Sequence, residues 1–309
     1  MTRADEPLAP GTEIAPGFVV LGHLSRGRRL DVYDAWSEER GSRCVVKALR
    51  PERSGEERAR ELLVREGELL ERLSHPHLVR GYETRLDPVP LIVIETLAGQ
   101  TLSHLIEVEQ PELSPADLAQ LGLQLGSVVR YLHRNGILHL DLKPSNVVVE
   151  SGRARLIDLS VARPPGPAPP GVGTWYYLSP EQARGGKLDA AADVWGLGAI
   201  LFEAATGEPA FGDGDEELDE ADALAPETAT WISDDGSDGP YPQLEERAPP
   251  VADLRPLPPA LAELIDTCLD PDPQRRPSLE SLLAGLERAG GIAPAERRWT
   301  APRVARARD

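Results

Sequence analysis

Asp141, Lys143, Asn146 and Asp158 are the side chains of this sequence whose types and spacing best suit work on a charged oxygen. Three lie in His139-Leu140-Asp141-Leu142-Lys143-Pro144-Ser145-Asn146, and Asp158-Leu159-Ser160 begins seventeen residues after Asp141. A carboxylate, an ammonium, a carboxamide and a second carboxylate beyond a short hairpin form a coherent set. Phosphoryl transfer needs a group to orient the attacking hydroxyl, cations to balance developing charge, and hard oxygen ligands for Mg²⁺. Asp141 suits the first task, Lys143 suits contact with the transferred phosphoryl, and Asn146 with Asp158 suits the metal. Either half alone reads equally well as turn residues in a polar loop. Both together at this spacing do not.

A second pair is Lys47, which closes Val45-Val46-Lys47, and Glu66 downstream. Alone they would read as a surface lysine and a solvated helix glutamate. The 33 basic residues, however, include only three lysines, Lys47, Lys143 and Lys187. Where a positive charge merely has to exist this chain uses arginine, so a lysine marks a place that needs a compact ammonium. Two of the three lysines fall in the candidate set.

The elements that must position these groups follow from periodicity and breakers. Phe18–Leu21, Leu30–Trp36, Cys44–Leu49 and Leu91–Glu95 read as strands between glycine-bearing turns. Glu56 to Leu73 carries leucines at helical spacing and stops before His75-Pro76. Pro115 to Asn135 is a long amphipathic helix ended by Asn135-Gly136. Val147–Glu150 and Arg155–Ile157 form a hairpin around Ser151-Gly152, which sets Asp158 opposite the 139–146 loop. Arg163 to Gly173 is proline- and glycine-rich and reads as a loop; Ala190 to Thr206 reads as a buried apolar helix. Pro259–Leu269 and Leu279–Ala289 are a closing helix pair.

The 139–146 and 158–160 segments together resemble the catalytic loop and the magnesium-binding Asp-Phe-Gly of eukaryotic-like serine/threonine protein kinases of bacteria. Lys47 and Glu66 resemble that family's strand lysine and its helix partner, and Lys143 resembles the serine/threonine branch. Gly173-Thr174-Trp175-Tyr176-Tyr177-Leu178-Ser179-Pro180-Glu181 looks like the end of an activation segment. Asp193 resembles the aspartate that braces the catalytic loop, and Arg276 the arginine that pairs with Glu181. The match runs from about Phe18 to Ala289. The resemblance implies an α+β, two-lobed fold with a β-rich N-lobe over 17–97 and a helical C-lobe over 98–289. It also implies ATP in the cleft, with Ser25, Gly27, Val32, Val45, Lys47, Glu66, Glu95, Leu97 and Val148 around it. Backbone groups of Glu95 to Leu97 would form the adenine hinge, and Asn146 and Asp158 would hold Mg²⁺ or Mn²⁺.

Three departures accompany the match. Leu140 stands where an arginine usually precedes the catalytic aspartate, and Ser160 where a glycine is usual. The three positions of the glycine-rich turn fall on Ser25, Gly27 and Leu30, so one glycine survives; Arg26, Arg28 and Arg29 would supply charge to phosphates instead. Between Asp158 and Thr174 the only hydroxyl is Ser160, so a kinase of this sequence is expected not to need phosphorylation in that loop. The alternative is a pseudokinase that binds partners, with or without nucleotide. A kinase-fold phosphotransferase for small molecules is more distant, because Lys143 and the 173–181 stretch suit a protein acceptor.

Composition excludes other classes. A formal charge of -18 disfavours nucleic acid and anionic membrane as partners. No signal peptide or membrane segment is visible, and Cys44 and Cys268 lack metal or disulfide spacing, so a cytoplasmic location is expected. Residues 1–16 and 290–309 read as disordered tails, the latter basic. Residues 212–246 read as a solvated acidic insert with a possible basic partner. The protein substrate is not legible.

Overall fold

Alternation in the first hundred residues builds one antiparallel sheet, in a computed structural model that describes residues 6–27, 29–109, 113–212 and 241–291. Its strands are β1 (Glu13–Ala15), β2 (Phe18–Arg26), β3 (Leu30–Ser37), β4 (Ser42–Leu49), β5 (Gly81–Arg85) and β6 (Leu91–Glu95), in the spatial order β1-β2-β3-β4-β6-β5. Cys44, Val46 and Ala48 point to one face, where they pack with Phe18, Val20, Tyr33 and Val93. Val45 and Lys47 point to the other. Val32 is the cross-strand partner of Lys47 and Ile94 that of Val45, so all four share the face toward the second lobe.

Helix α1 (Glu57–Arg72) lies against this second face, burying Ala59, Leu63, Glu66, Gly67 and Leu70 at helical spacing. A glutamate in that stripe, 1 % exposed, needs a partner, and the cleft supplies one.

The lower lobe is helical. After β7 (Gln100–Thr101) and the short α2 (Leu102–His104), helix α3 (Pro115–Arg134) starts at a capping box of Ser114 and Asp117 with Pro115 at its first turn. The hairpin of β8 (Val147–Glu150) and β9 (Arg153–Leu156) follows the 139–146 loop, and β10 (Gly166–Ala168) comes next. Helix α4 (Pro180–Arg184) and strand β11 (Gly186–Leu188) lead to α5 (Ala190–Thr206), buried on nearly every side. The lobe closes with α6 (Pro242–Glu245), α7 (Val251–Leu254), α8 (Pro259–Cys268) and α9 (Leu279–Ala289). A Cβ at Gly196 would come within 2.7 Å of Leu142 Cβ, so the glycine lets the 139–146 loop rest directly on α5.

Three sequence expectations are corrected, and one strand, β5, has no counterpart among them. Residues 1–16 are not wholly a disordered tail: β1 joins the sheet, Ile14 and Ala15 are buried, and Leu8 donates its amide to Tyr33 Oη at 3.1 Å. β5 escaped the reading because all five of its residues are half-buried and no alternation shows. Arg163 to Gly173 is not all loop, since Gly166–Ala168 pairs with Gly186–Leu188. The acidic insert ends earlier than expected, because α6 is helical and Gln243 is buried. Positions 213–240 and 292–309 lie outside the described residues.

Ile14 closes the outer face of the sheet, so Ile14→Ala is expected to cost about 2–3 kcal/mol. A lower thermal midpoint with unchanged far-UV circular dichroism is the expected result, and an unshifted midpoint would contradict a structural role for β1.

Candidate active site

The 139–146 loop is held by one buried carboxylate. Asp193, in the first turn of α5, accepts the amides of His139 and Leu140 at 2.8 Å each and the ring Nε2 of His133 at 2.7 Å. Burial opposes its charge, yet His133 and these donors hold it below the usual carboxylate range. Leu140 consequently adopts φ 66°, a left-handed conformation that costs a leucine roughly 1–2 kcal/mol. Its carbonyl is caught at 2.8 Å by Gln182 Nε2, which also reaches Val172 O at 2.6 Å.

Asp141 emerges from this turn. Its Oδ2 accepts Asn146 Nδ2 at 2.8 Å, and its Oδ1 accepts the Thr174 hydroxyl at 2.7 Å. Lys143 is buried beside it and makes no ion pair among the described residues. A buried ammonium without a carboxylate is suited to meet an anion from outside the chain.

Lys47 binds both remaining acids, Glu66 Oε1 at 2.6 Å and Asp158 Oδ2 at 2.7 Å. Burial alone would lower the lysine's pKa; the two carboxylates overcome it and raise it. Burial, with Asp158 nearby, pushes Glu66 up to about 7 although Lys47 pulls it back. Asp158 works against burial too, but Lys47 and the Ser160 amide, at 2.8 Å, hold it well below the ordinary range, and the Ser160 hydroxyl adds to this. The serine in place of glycine therefore supports the charge of its neighbour.

A divalent cation fits these residues. Asn146 uses Nδ2 for both of its bonds to Asp141, which leaves its carboxamide oxygen without a donor, and Ile157, next to Asp158, donates its amide to Asn146 O at 3.1 Å. An amide oxygen and an ionised carboxylate held on one hairpin are the hard donors Mg²⁺ takes alongside substrate phosphates.

The nucleotide-side residues are brought together in part. Val32, Val45 and Lys47 share the cleft face of the sheet, and half-buried Leu97 packs on the same core. Val148 pairs with Thr101 across β7–β8, on the lower lobe. The side chain of Glu95 turns away, accepting from Arg80 N and Arg155 Nη1 at 2.8 Å each, so its backbone is what the hinge presents. Thr96 Oγ1 is buried there without a partner.

Ser25 and Gly27 belong to a tied hairpin. Ser25 pairs with Val32, and Gly27 N donates to Leu30 O at 2.8 Å. Gly27 has no positive φ, and a Cβ there would meet only Leu30 O at an ordinary 3.6 Å, so this fold does not require its glycine. The expected use of Arg26 on phosphates is corrected: Arg26 holds Asp31 through two bonds of 2.8 and 3.0 Å, and His23 adds a third at 3.0 Å. Arg29 faces Glu56 at 3.8 Å, and Arg28 lies outside the described residues.

The segment beyond Ser160 is closed by apolar contact. Leu140 clusters with Leu138, Val161, Val172, Leu188 and Ala192, and the β10–β11 ladder ties the segment to the approach of α5. Glu181 pairs with Arg276 through bonds of 2.6 and 2.9 Å, while the arginine lies over Trp195. Gln243 donates to Trp175 O and Leu178 O, and Tyr177 donates to Glu203 at 2.8 Å. Sequence reasoning missed Gln182, Gln243 and the bond from Thr174 to Asp141. No local pattern announces contacts made across 33 to 68 residues.

A lysine–carboxylate triad joins the two lobes, and Asp141 and buried Lys143 stand on the loop of the lower lobe. The protein kinase domain model matches residues 18–285. A probable serine/threonine-protein kinase of Streptomyces coelicolor is 32% identical over 201 residues, covering 61% of this chain and 30% of that protein. Serine/threonine-protein kinase PknB of Mycobacterium tuberculosis is 36% identical over 160 residues, covering 48% and 25%. The crystal structure of the Mycobacterium tuberculosis PknI kinase domain aligns over 93% of this chain and all of its own with a TM-score of 0.67; at 21% identity it shows the fold. The chain belongs to the protein kinase family, and the curated relatives it resembles are bacterial kinases named as serine/threonine-protein kinases. It spans between a quarter and a third of the length of these curated relatives. Among the described residues no helix is long and apolar enough to cross a membrane.

Burial pushes Glu203 up to about 7, with Glu107 adding and the Tyr177 hydroxyl opposing. A carboxyl raised in the folded state contributes stability below its unfolded pKa, and loses it as pH rises through 7. Glu203→Gln keeps an acceptor for Tyr177. Relative to this variant, the wild type is expected to lose on the order of 2–3 kcal/mol between pH 5 and 8 by denaturant melts. Parallel profiles would show that Glu203 is ionised throughout.

Proposed function

We propose that this chain transfers the γ-phosphoryl group of ATP to serine or threonine hydroxyls of a protein substrate. The observation that carries the reading is Lys47 bound at once to Glu66 and Asp158, which joins upper-lobe strand, upper-lobe helix and lower-lobe metal position. Arriving nucleotide phosphates find this ammonium already placed. Asn146 and Asp158 would hold Mg²⁺ or Mn²⁺, which would neutralise charge on the phosphates. Asp141 receives the acceptor hydroxyl and takes its proton as the new O–P bond forms and ADP leaves. Lys143 balances charge on the moving phosphoryl. Thr174, now on Asp141 Oδ1, marks where an acceptor hydroxyl comes to lie.

Transfer is read here as independent of phosphorylation in the 158–173 segment. A phosphate-reading arginine is absent, and Leu140, Val172 and Leu188 hold that segment by burial instead. The acidic stretch would favour a basic partner: Gly212 sits against Tyr176 and the Tyr241 ring lies tilted against Trp175 with centroids 4.3 Å apart, so both of its flanks touch the acceptor stretch. Free, buried Cys44 and Cys268 agree with a cytoplasmic setting.

The second reading, a pseudokinase, is favoured by the tied hairpin at Ser25 to Val32. Labelled phosphate from ATP, with Mg²⁺ or Mn²⁺, should pass to the protein or to a generic basic protein, and Asp141→Asn should reduce this by at least about a hundredfold. No incorporation with either metal would leave the pseudokinase. Phosphatase-treated protein is expected to keep its rate within about twofold; a phosphosite in the 158–173 segment that raises activity would overturn the independence.

A further inference from the structure

Several arginines of this acidic chain meet carboxylates, as Arg26 does Asp31, Arg40 does Glu83, Arg43 does Asp34 and Arg276 does Glu181. At the back of the hinge two do not. Arg80, exposed after α1, and Arg153, exposed at the β8–β9 turn, make no ion pair among the described residues. Glu150 stands opposite Arg153 in the hairpin register without pairing to it. Both arginines line a cavity of about 290 Å³ with His75, Pro76, Glu95 and Arg155. Arg155 is bound to Glu95, and its Nε is buried without an acceptor.

The positive character continues along α3. Arg130 and Arg134 open on a second cavity of about 470 Å³, in which Glu280 is the only carboxylate lining the wall. Burial lowers the pKa of both His75 and His77, and Arg130 lowers the first further while Arg153 and Arg155 lower the second. The net charge of the chain is -18, with eleven of the acids between 213 and 240, yet Arg80, Arg153, Arg130 and Arg134 gather around these two cavities without an ion pair among the described residues.

We propose that this back face is a docking surface for an acidic polypeptide segment of a protein partner. Arg80 and Arg153 make the first contacts, and Arg130 and Arg134 extend them along α3. The guanidinium groups belong to separate elements and border two open cavities, so a small anion reaches one cavity whereas an extended chain with repeated carboxylates reaches both. Arginine's planar fork suits each carboxylate in turn. Repulsion from the rest of the chain is screened beyond about 8 Å at physiological salt, so association is decided locally. Docking there needs no phosphoryl transfer, but it bears on the hinge, because an incoming carboxylate competes with Glu95 for Arg155.

The test uses the full chain and a fluorescein-labelled peptide of alternating Asp and Glu, with an Asn/Gln peptide of equal length as control. At low salt the acidic peptide should raise the anisotropy and the control should not. Arg80→Glu with Arg153→Glu, both exposed positions, should weaken binding by about tenfold or more with an unchanged melting curve. Equal binding by the double variant, or no binding by the wild type at low salt, would overturn the proposal. So would displacement by inorganic sulfate at the same concentration of charge, since that describes a small-anion site.

Discussion

Asp193 is the interaction on which the site depends. A carboxylate 1 % exposed is tolerable only with its oxygens fully used, and it uses them on two successive amides and one imidazole. Its place in the first turn of α5 adds the favourable end of the helix dipole. The bonds hold Leu140 in a conformation that a leucine avoids, and that conformation aims Asp141 at the cleft. The same helix carries Gly196 under Leu142 and Trp195 under Arg276. One buried helix thereby supports both the 139–146 loop and, through Glu203 on Tyr177, the 173–181 stretch.

The two lobes meet through charge at this point, beside an apolar core that runs from Leu63, Leu70 and Ile94 of the upper lobe to Leu156 and Leu159 of the lower. Lys47 and Glu66 belong to the upper lobe, Asp158 to the lower. Removing three charges from water costs nearly what their attraction returns, so the triad adds little to stability. It specifies geometry instead: only one arrangement of β4, α1 and the Asp158 turn satisfies all three groups.

The departures from the family pattern form a consistent set. Leu140, which stands where the family usually has arginine, is buried with Val161, Val172 and Leu188 beside the β10–β11 ladder. Ser160 adds donors to Asp158 where a glycine would add only its amide. The hairpin at Ser25 to Val32 replaces backbone freedom by a bonded cluster of His23, Arg26 and Asp31.

Residue type and spacing were enough for the strands from Phe18 to Leu49 and helices α1, α3, α5, α8 and α9, and the family resemblance for the two lobes; the fold brings Lys47 to Glu66 and Asp158, and Asp141 to Asn146. Those strands and helices are local or repeat with a period, so burial leaves its imprint in the order of residues. The strand β1, the pairing of β10 with β11, and the grip of Gln182 and Gln243 on distant carbonyls leave no such imprint. Nor does the fate of Arg26, which sequence assigns to phosphate and the fold assigns to Asp31. A side chain's partner across space is chosen by packing of whole elements, and a linear pattern carries only the face on which each residue stands.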